Sequence, residues 1–268
     1  AVVEVVCIAS CVAAEYLSGL VLKRPSSVGD LSCLVTGLLL AFNLPSTIPL
    51  WQAALGSVVA IVVAKQMFGG LGQNFVNPAL LGRIVLMSSF AQSMNTWVEP
   101  LATDTVSSAT PLALLAEGDT AAYSIRELLF GLRPGCLGET CVLALLMGGV
   151  YLVIRRVISP VVPLTYIGTV FVLTWVLGEN PVYQILSGGL MLGAIFMATD
   201  YVTSPVCKAG KVVFAIGCGL LTVLIRLYGS LPEGVSFAIV IMNILTPLIE
   251  RVVRPIPFGK KWRRQHEA

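Results

Sequence analysis

The chain reads as a succession of apolar runs separated by short polar breaks. A helix needs about 20 mainly apolar residues to cross a bilayer, and fewer when it is packed inside a bundle. Runs that meet this pattern fall at residues 2–22, 31–49, 50–68, 80–97, 137–154, 161–178, 182–199, 212–230 and 235–250. Each predicts a helix. The 182–199 run is short and glycine-rich, and Ser and Gln interrupt the 80–97 run, so these two are the least regular. The expected architecture is all-α, a polytopic helical membrane protein folded as a single integral domain over residues 1–268.

Composition agrees with the pattern. Of 268 residues, 56% are hydrophobic and only 12% charged, and the mean hydropathy is +0.89. Soluble domains carry about 25% charged residues. The deficit excludes a cytosolic enzyme, a disordered chain and a nucleic-acid binder. Net charge is only +3, so the placement of charges says more than their sum.

Cytoplasmic loops are enriched in Lys and Arg. With the basic tail at 251–268 placed in the cytoplasm and the runs alternated backwards, every Lys and Arg except Arg126, Arg133 and Arg226 lands inside, Arg83 and Lys65 included. Glu99, Asp104, Glu117, Asp119, Glu127, Glu139, Glu179 and Glu233 collect on the other side. This puts the C-terminus in the cytoplasm, and the expected location is a bacterial cytoplasmic (inner) membrane. Nine spans then put residue 1 outside, and parity implies a tenth, N-terminal helix. The connection 98–136 becomes an extracytoplasmic loop, long enough to be functional.

Cysteine and histidine narrow the chemistry. None of the seven cysteines forms a C-x-x-C pair, which argues against an iron–sulfur or zinc site built by this chain alone. Cys136 and Cys141 flank a Gly-containing turn and could pair if that turn is outside. The single histidine, His266, lies in the basic tail.

Two pairs of segments resemble each other. Gln66–Leu71 matches Arg226–Leu231 around a Gly turn, and Leu40–Asn43 matches Met197–Asp200, each followed by a proline, Pro45 or Pro205. In the topology above the first Gly turn is inside and the second outside. That is the signature of an inverted repeat, which places ligand sites where broken helices meet.

Three polar clusters carry candidate chemistry. Gly69–Arg83 holds Gln73, Asn74 and Asn77 among four glycines, so a helix must break there. Freed backbone at membrane depth is tolerated only where it is buried in protein or lines a cavity. Amides that both donate and accept suit a flat heterocycle or another polar ligand. Ala198–Pro205 places Asp200 among Thr199 and Thr203, either as an ion or ligand contact or as a helix end that meets water. Asp104–Leu112 is hydroxyl-rich and enters a helix at Pro111. Thr110 there is an N-cap, a simple cap or an anion contact. Glu15 and Arg226 also fall inside or near the ends of apolar runs and need a neighbour or a subunit interface.

Asp104, Ser107, Ala109 and Thr110 spell D-x-x-S-x-A-T, with Ser108 between. This resembles the acceptor motif for covalent flavinylation. Together with G-G-L-G-Q-N-F-x-N-P-A-L, A-T-D-Y-V-T-S-P and T-P-L-I-E-R, it makes nearly the whole chain similar to the D subunits of Rnf ion-translocating electron-transport complexes. Those are related to the B subunits of the sodium-pumping NADH:quinone reductase. The resemblance implies FMN esterified through its phosphate to Thr110 by a flavin transferase. It further implies a second, non-covalent flavin (riboflavin in the relative), with Gln73, Asn74, Asn77, Thr199, Asp200 and Thr203 as contacts. It implies partners of the A, B, C, E and G types, and electron flow between ferredoxin and NAD coupled to Na⁺ or H⁺ movement. The competing class is a secondary transporter or channel whose Asn-rich break binds solute. Such a protein has no use for the Asp104–Thr110 motif.

Overall fold

The structure is a computed structural model that describes residues 2–24, 27–98, 110–116, 123–229 and 233–253. Among these, every regular element is a helix. The first four are α1 (Val2–Val21), α2 (Ser32–Phe42), α3 (Leu50–Ile61) and α4 (Pro78–Ser89). Three short ones follow: α5 (Ala91–Met94), α6 (Pro111–Ala116) and α7 (Ile125–Phe130). The remainder are α8 (Val142–Ile154), α9 (Val161–Val176), α10 (Pro181–Leu186), α11 (Leu190–Leu192), α12 (Lys208–Tyr228) and α13 (Val235–Val252).

All of the predicted apolar runs have helical counterparts, but not all as single helices. Among the described residues, only α1, α12 and α13 are long and apolar enough to cross a bilayer unaided. The 182–199 run breaks at Ser187–Gly189, where Gly188 takes φ +64°, and the 80–97 run stops at Ser89 before the short α5. Large apolar side chains face outward along the bundle: Ile154 is 72% exposed, Leu164 69% and Trp175 68%. In water such surfaces would be an aggregation hazard. Against lipid they are the ordinary exterior of a membrane protein.

A π-helical turn closes α3 at Val62–Gln66, and a second follows α11 at Gly193–Met197. Single π turns inside α-helices frequently mark functional sites. The packing order of the helices repeats. α1 packs on α2 and α3, and α3 on α4; correspondingly α9 packs on α10 and α12, and α12 on α13. The related segments 40–43 and 197–200 also touch, because Asn43 Nδ2 donates to Met197 Sδ at 3.6 Å. The second π turn thus ends against the close of α2.

Close crossings need small residues. At Gly82 of α4 a Cβ would stand 2.8 Å from the Gly56 carbonyl oxygen of α3, and at Gly37 of α2 it would stand 2.9 Å from Ile8 Cα of α1. Backbone cannot yield as a side chain can, so these crossings exclude every other residue at that spacing.

Candidate functional site

The break after the first π turn forms one wall of a cavity of about 300 Å³, within the usual range for small-ligand sites. Gly69, Gly70 and Gly72 take φ of +131°, +96° and +79°, a region open to glycine at little cost, and so turn the chain sharply. Asn77 then caps α4 by accepting from Ala79 and Leu80 N–H, with Pro78 in the first turn. Its Nδ2 donates to the Met197 carbonyl at 3.3 Å, tying the first break to the second π turn. Asn74, Asn77 and Asp200 all line the cavity, with Ser32, Thr36 and Lys65 completing its polar face and Leu39, Leu71 and Phe196 among its apolar one.

Three sequence-predicted contacts therefore meet, and three do not. Gln73 lies exposed off the cavity, stacked under Gly69. Thr199 returns its hydroxyl to the Ile195 carbonyl at 2.7 Å, and Thr203 donates to Asp200 Oδ2 at 3.0 Å, so Thr203 orients the aspartate from outside the lining. Sequence reasoning missed Lys65. It stands on the π turn, and its Nζ donates to both Glu15 oxygens at 2.7 and 2.8 Å and to Ser32 Oγ at 2.8 Å. Ser27 donates to the same carboxylate. Glu15 thus finds its neighbour within the chain, 50 residues on.

A second polar centre lies around Arg83. Its guanidinium donates to Asn43 Oδ1 at 2.7 Å, Glu139 Oε1 at 3.1 Å, Cys136 Sγ at 3.5 Å and the Glu233 carboxylate. All these groups are buried. Charge sorting placed Arg83 inside and both acids outside; direct contact overturns that separation. The physical reason is that α4 starts at a cap buried in the bundle, not at a membrane boundary, so a residue early in α4 is not a loop residue. Cys136, Glu139 and Glu233 also present ligand atoms within 4.8 Å of one another. The cation serving this cluster is the guanidinium. Cys136 and Cys141 are free thiols, Cys136 donating to the Asn43 carbonyl and Cys141 to that of Leu129, so the disulfide that their placement allowed is not formed.

Thr110 is buried and caps α6, its Oγ1 accepting from Ala113 N–H at 3.3 Å. It shares with Arg83, Glu233, Met94 and Trp97 a void of about 10 Å³, about the space of one water. Asp104, Ser107, Ser108 and Ala109 lie outside the described residues. The following turn of α6, through Leu112 and Leu115, borders a larger cavity of about 330 Å³ with Glu179, Gln184, Arg226, Leu227 and Gly229. Arg226 is 8% exposed. It donates to the carbonyls of Gln184 at 2.6 Å and Ser187 at 3.3 Å, and its Nε has no partner.

The NQR2, RnfD, RnfE family matches residues 1–259. The chain is 49% identical over 257 residues to the D subunit of the Na(+)-translocating ferredoxin:NAD(+) oxidoreductase complex of Acetobacterium woodii, covering 95% of this chain and 81% of that one. It is 42% identical to the proton-translocating counterpart of Clostridium ljungdahlii, covering 95% and 82%. It is 38% identical to the D subunit of the ion-translocating oxidoreductase complex of Stutzerimonas stutzeri, covering 97% and 86%. With this fold, these breaks and matches of this length, the chain belongs to the NQR2, RnfD, RnfE family.

Proposed function

We propose that this chain is the D-type membrane subunit of a redox-driven ion pump that passes electrons between ferredoxin and NAD⁺ and couples them to Na⁺ or H⁺ movement. Support comes from relatives named for that activity and from a helical bundle with polar, cavity-lining breaks. As a subunit of an oxidoreductase it acts with partners of the A, B, C, E and G types, not alone.

The cofactor reading rests on one observation: the D-x-x-S-x-A-T pattern ends at Thr110, whose hydroxyl caps α6, the helix whose next turn borders the cavity of about 330 Å³. A flavin transferase would esterify FMN to Thr110, and the flavin, when bound, supplies reversible electron transfer. The chain's own residues supply position and surroundings: α6 carries the tether, and Leu112 and Leu115 form the apolar side of the adjoining cavity. The cavity lined by Lys65, Asn74, Asn77 and Asp200 fits a second, non-covalent flavin such as riboflavin, because its polar groups both donate and accept. The solute-transporter reading can use that cavity but gives Asp104–Thr110 no role.

Topologically, nine spans arranged as two inverted halves in a bacterial inner membrane, with the tail in the cytoplasm and the 98–136 loop outside, accommodate the repeated packing order. The decisive experiment is in-gel fluorescence of the denatured chain after expression with an active flavin transferase. A band present in the parent and lost in Thr110→Ala supports the reading. No band in the parent removes covalent attachment at this site.

A further inference from the structure

α8 and α9 are consecutive, yet a cleft separates them. α8 packs on α7, α11 and the second π turn, and α9 on α10, α12 and that same π turn. Between them runs a groove of about 200 Å³, along residues 146–154 of α8 and 160–167 at the start of α9, over buried Gly149 and Ile195. Every side chain that lines it is apolar. At 1.5 Å per residue the α8 edge is about 12 Å long, close to the ~15 Å of hydrocarbon in one leaflet. These dimensions suit an extended acyl chain.

One end of the groove, at Ile154, Ile158 and Pro160, is the turn that carries Arg155 and Arg156. Both arginines are exposed, and neither side chain has a carboxylate or hydrogen-bond partner among the described residues. Arg156 N–H donates to the Val153 carbonyl and Val157 N–H to that of Leu152, each at 2.9 Å, which closes α8. That pair of bonds normally calls for glycine at its left-handed position. Arginine stands there instead, at φ +56°, a conformation that a residue with a Cβ adopts at a cost. The Tyr201 hydroxyl donates to the Val157 carbonyl and fastens the turn to the segment after the second π turn. Tyrosines collect at membrane–water interfaces, and this one is 69% exposed. A strained turn thus holds two cations at headgroup level, at the mouth of a groove the size of an acyl chain.

We propose that this groove seats an anionic phospholipid, with one acyl chain between α8 and α9 and the phosphate on Arg155 and Arg156. Charge decides the headgroup: two guanidiniums without a carboxylate partner favour a lipid of net negative charge over a zwitterionic one. The second acyl chain stays in the surrounding bilayer. Bound in this way, the lipid fills the cleft that protein packing leaves open and ties α8 to α9.

The test is native mass spectrometry of the full chain in detergent, with dioleoyl phosphatidylglycerol and dioleoyl phosphatidylcholine offered in equal amounts. The two share their acyl chains and differ in headgroup charge. The parent should retain phosphatidylglycerol in preference, on the order of tenfold for two cations near an anionic headgroup. Arg155→Gln combined with Arg156→Gly should lose that preference. Arg156→Gly alone should keep or raise the thermal unfolding midpoint in lipid-free detergent, because glycine relieves the left-handed turn; a lower midpoint would make the arginine structural and overturn the proposal. Val153→Trp fills the groove without touching either charge and should lower retention of both lipids. A parent that binds the two lipids alike, or a double variant that keeps the preference, overturns the proposal. So does unchanged retention in Val153→Trp, which would leave a headgroup contact with no seat for the chain. Loss of the lipid when the chain is purified within its complex would give the groove to a partner's helix and overturn it too. Where the double variant does not fold, the parent's preference and Val153→Trp decide.

Discussion

Arg83 donates to four side chains drawn from three separate stretches of sequence, at Asn43, at Cys136 and Glu139, and at Glu233. Removing the cation would leave two buried carboxylates facing each other. Breaking a buried pair by deleting one partner typically costs about 3–5 kcal/mol. Arg83→Leu should therefore lose at least that much, read as a large drop in the thermal unfolding midpoint in detergent; a parent-like midpoint would refute the hub role. Asn77→Ala removes a cap worth about 1 kcal/mol and the Met197 tie, while Asn77→Ser keeps the cap alone. If non-covalent flavin content falls in both, the amide is a ligand; if in neither, it is only a cap. At this scale the sequence was partly legible. Asn74, Asn77 and Asp200 stood out because amides and acids are rare in apolar runs. Lys65 and Arg83 did not, because a lone cation near a run's end also satisfies the topology rule, and its counter-charges lie 50 to 150 residues away.

The helices themselves followed from apolar length, and their breaks from glycine and asparagine. What the pattern could not supply was where α4 begins relative to the bundle, because that depends on the Asn77–Met197 contact between distant segments. Helix crossings were likewise invisible until the packing was known. Gly82→Val should force α4 away from the Gly56 carbonyl and cost about 1–3 kcal/mol, the usual penalty of overpacking; an unchanged unfolding midpoint would show that the crossing has slack. A smaller element carries a pH signature. Ser124 and Glu127 of α7 form a capping box, legible as S-x-x-E but not singled out from the sequence. The Ser124 backbone N–H, then its hydroxyl, hold the Glu127 carboxyl below the usual carboxylate range. Its support of α7 is thus fully present above the unfolded carboxylate value and lost as pH falls through the lowered folded one. Hydrogen-exchange protection at Leu128–Phe130 should fall in that acidic window, and Glu127→Gln should abolish the dependence. A parent profile flat with pH would show that the box adds nothing.

For the whole molecule, the repeated packing order and the two π turns organise one bundle around two polar centres, the Lys65–Asp200 cavity and the Arg83 hub. Its orientation can be read with thiol probes, since five of the seven native cysteines are buried. In a chain with Cys141 and Cys207 replaced by Ser, a cysteine at Ser124 should label from outside. One at Arg155 should label only after permeabilisation, and the reverse pattern would invert the proposed topology. The Arg83 hub also bears on how such a chain is made. Glu139 and Glu233 follow Arg83 by 56 and 150 residues. At about 5–20 residues per second of synthesis, the arginine waits on the order of 10–30 s for its last counter-charge. Until Glu139 is made the half-made bundle holds an uncompensated cation that lipid will not accept, and until Glu233 is made the buried cluster is incomplete, so α4 must linger in the insertion machinery or beside an aqueous path. A chain stopped ahead of residue 233 would be a natural substrate for membrane quality control, and completion of the last helix becomes the event that releases the first half into the bilayer.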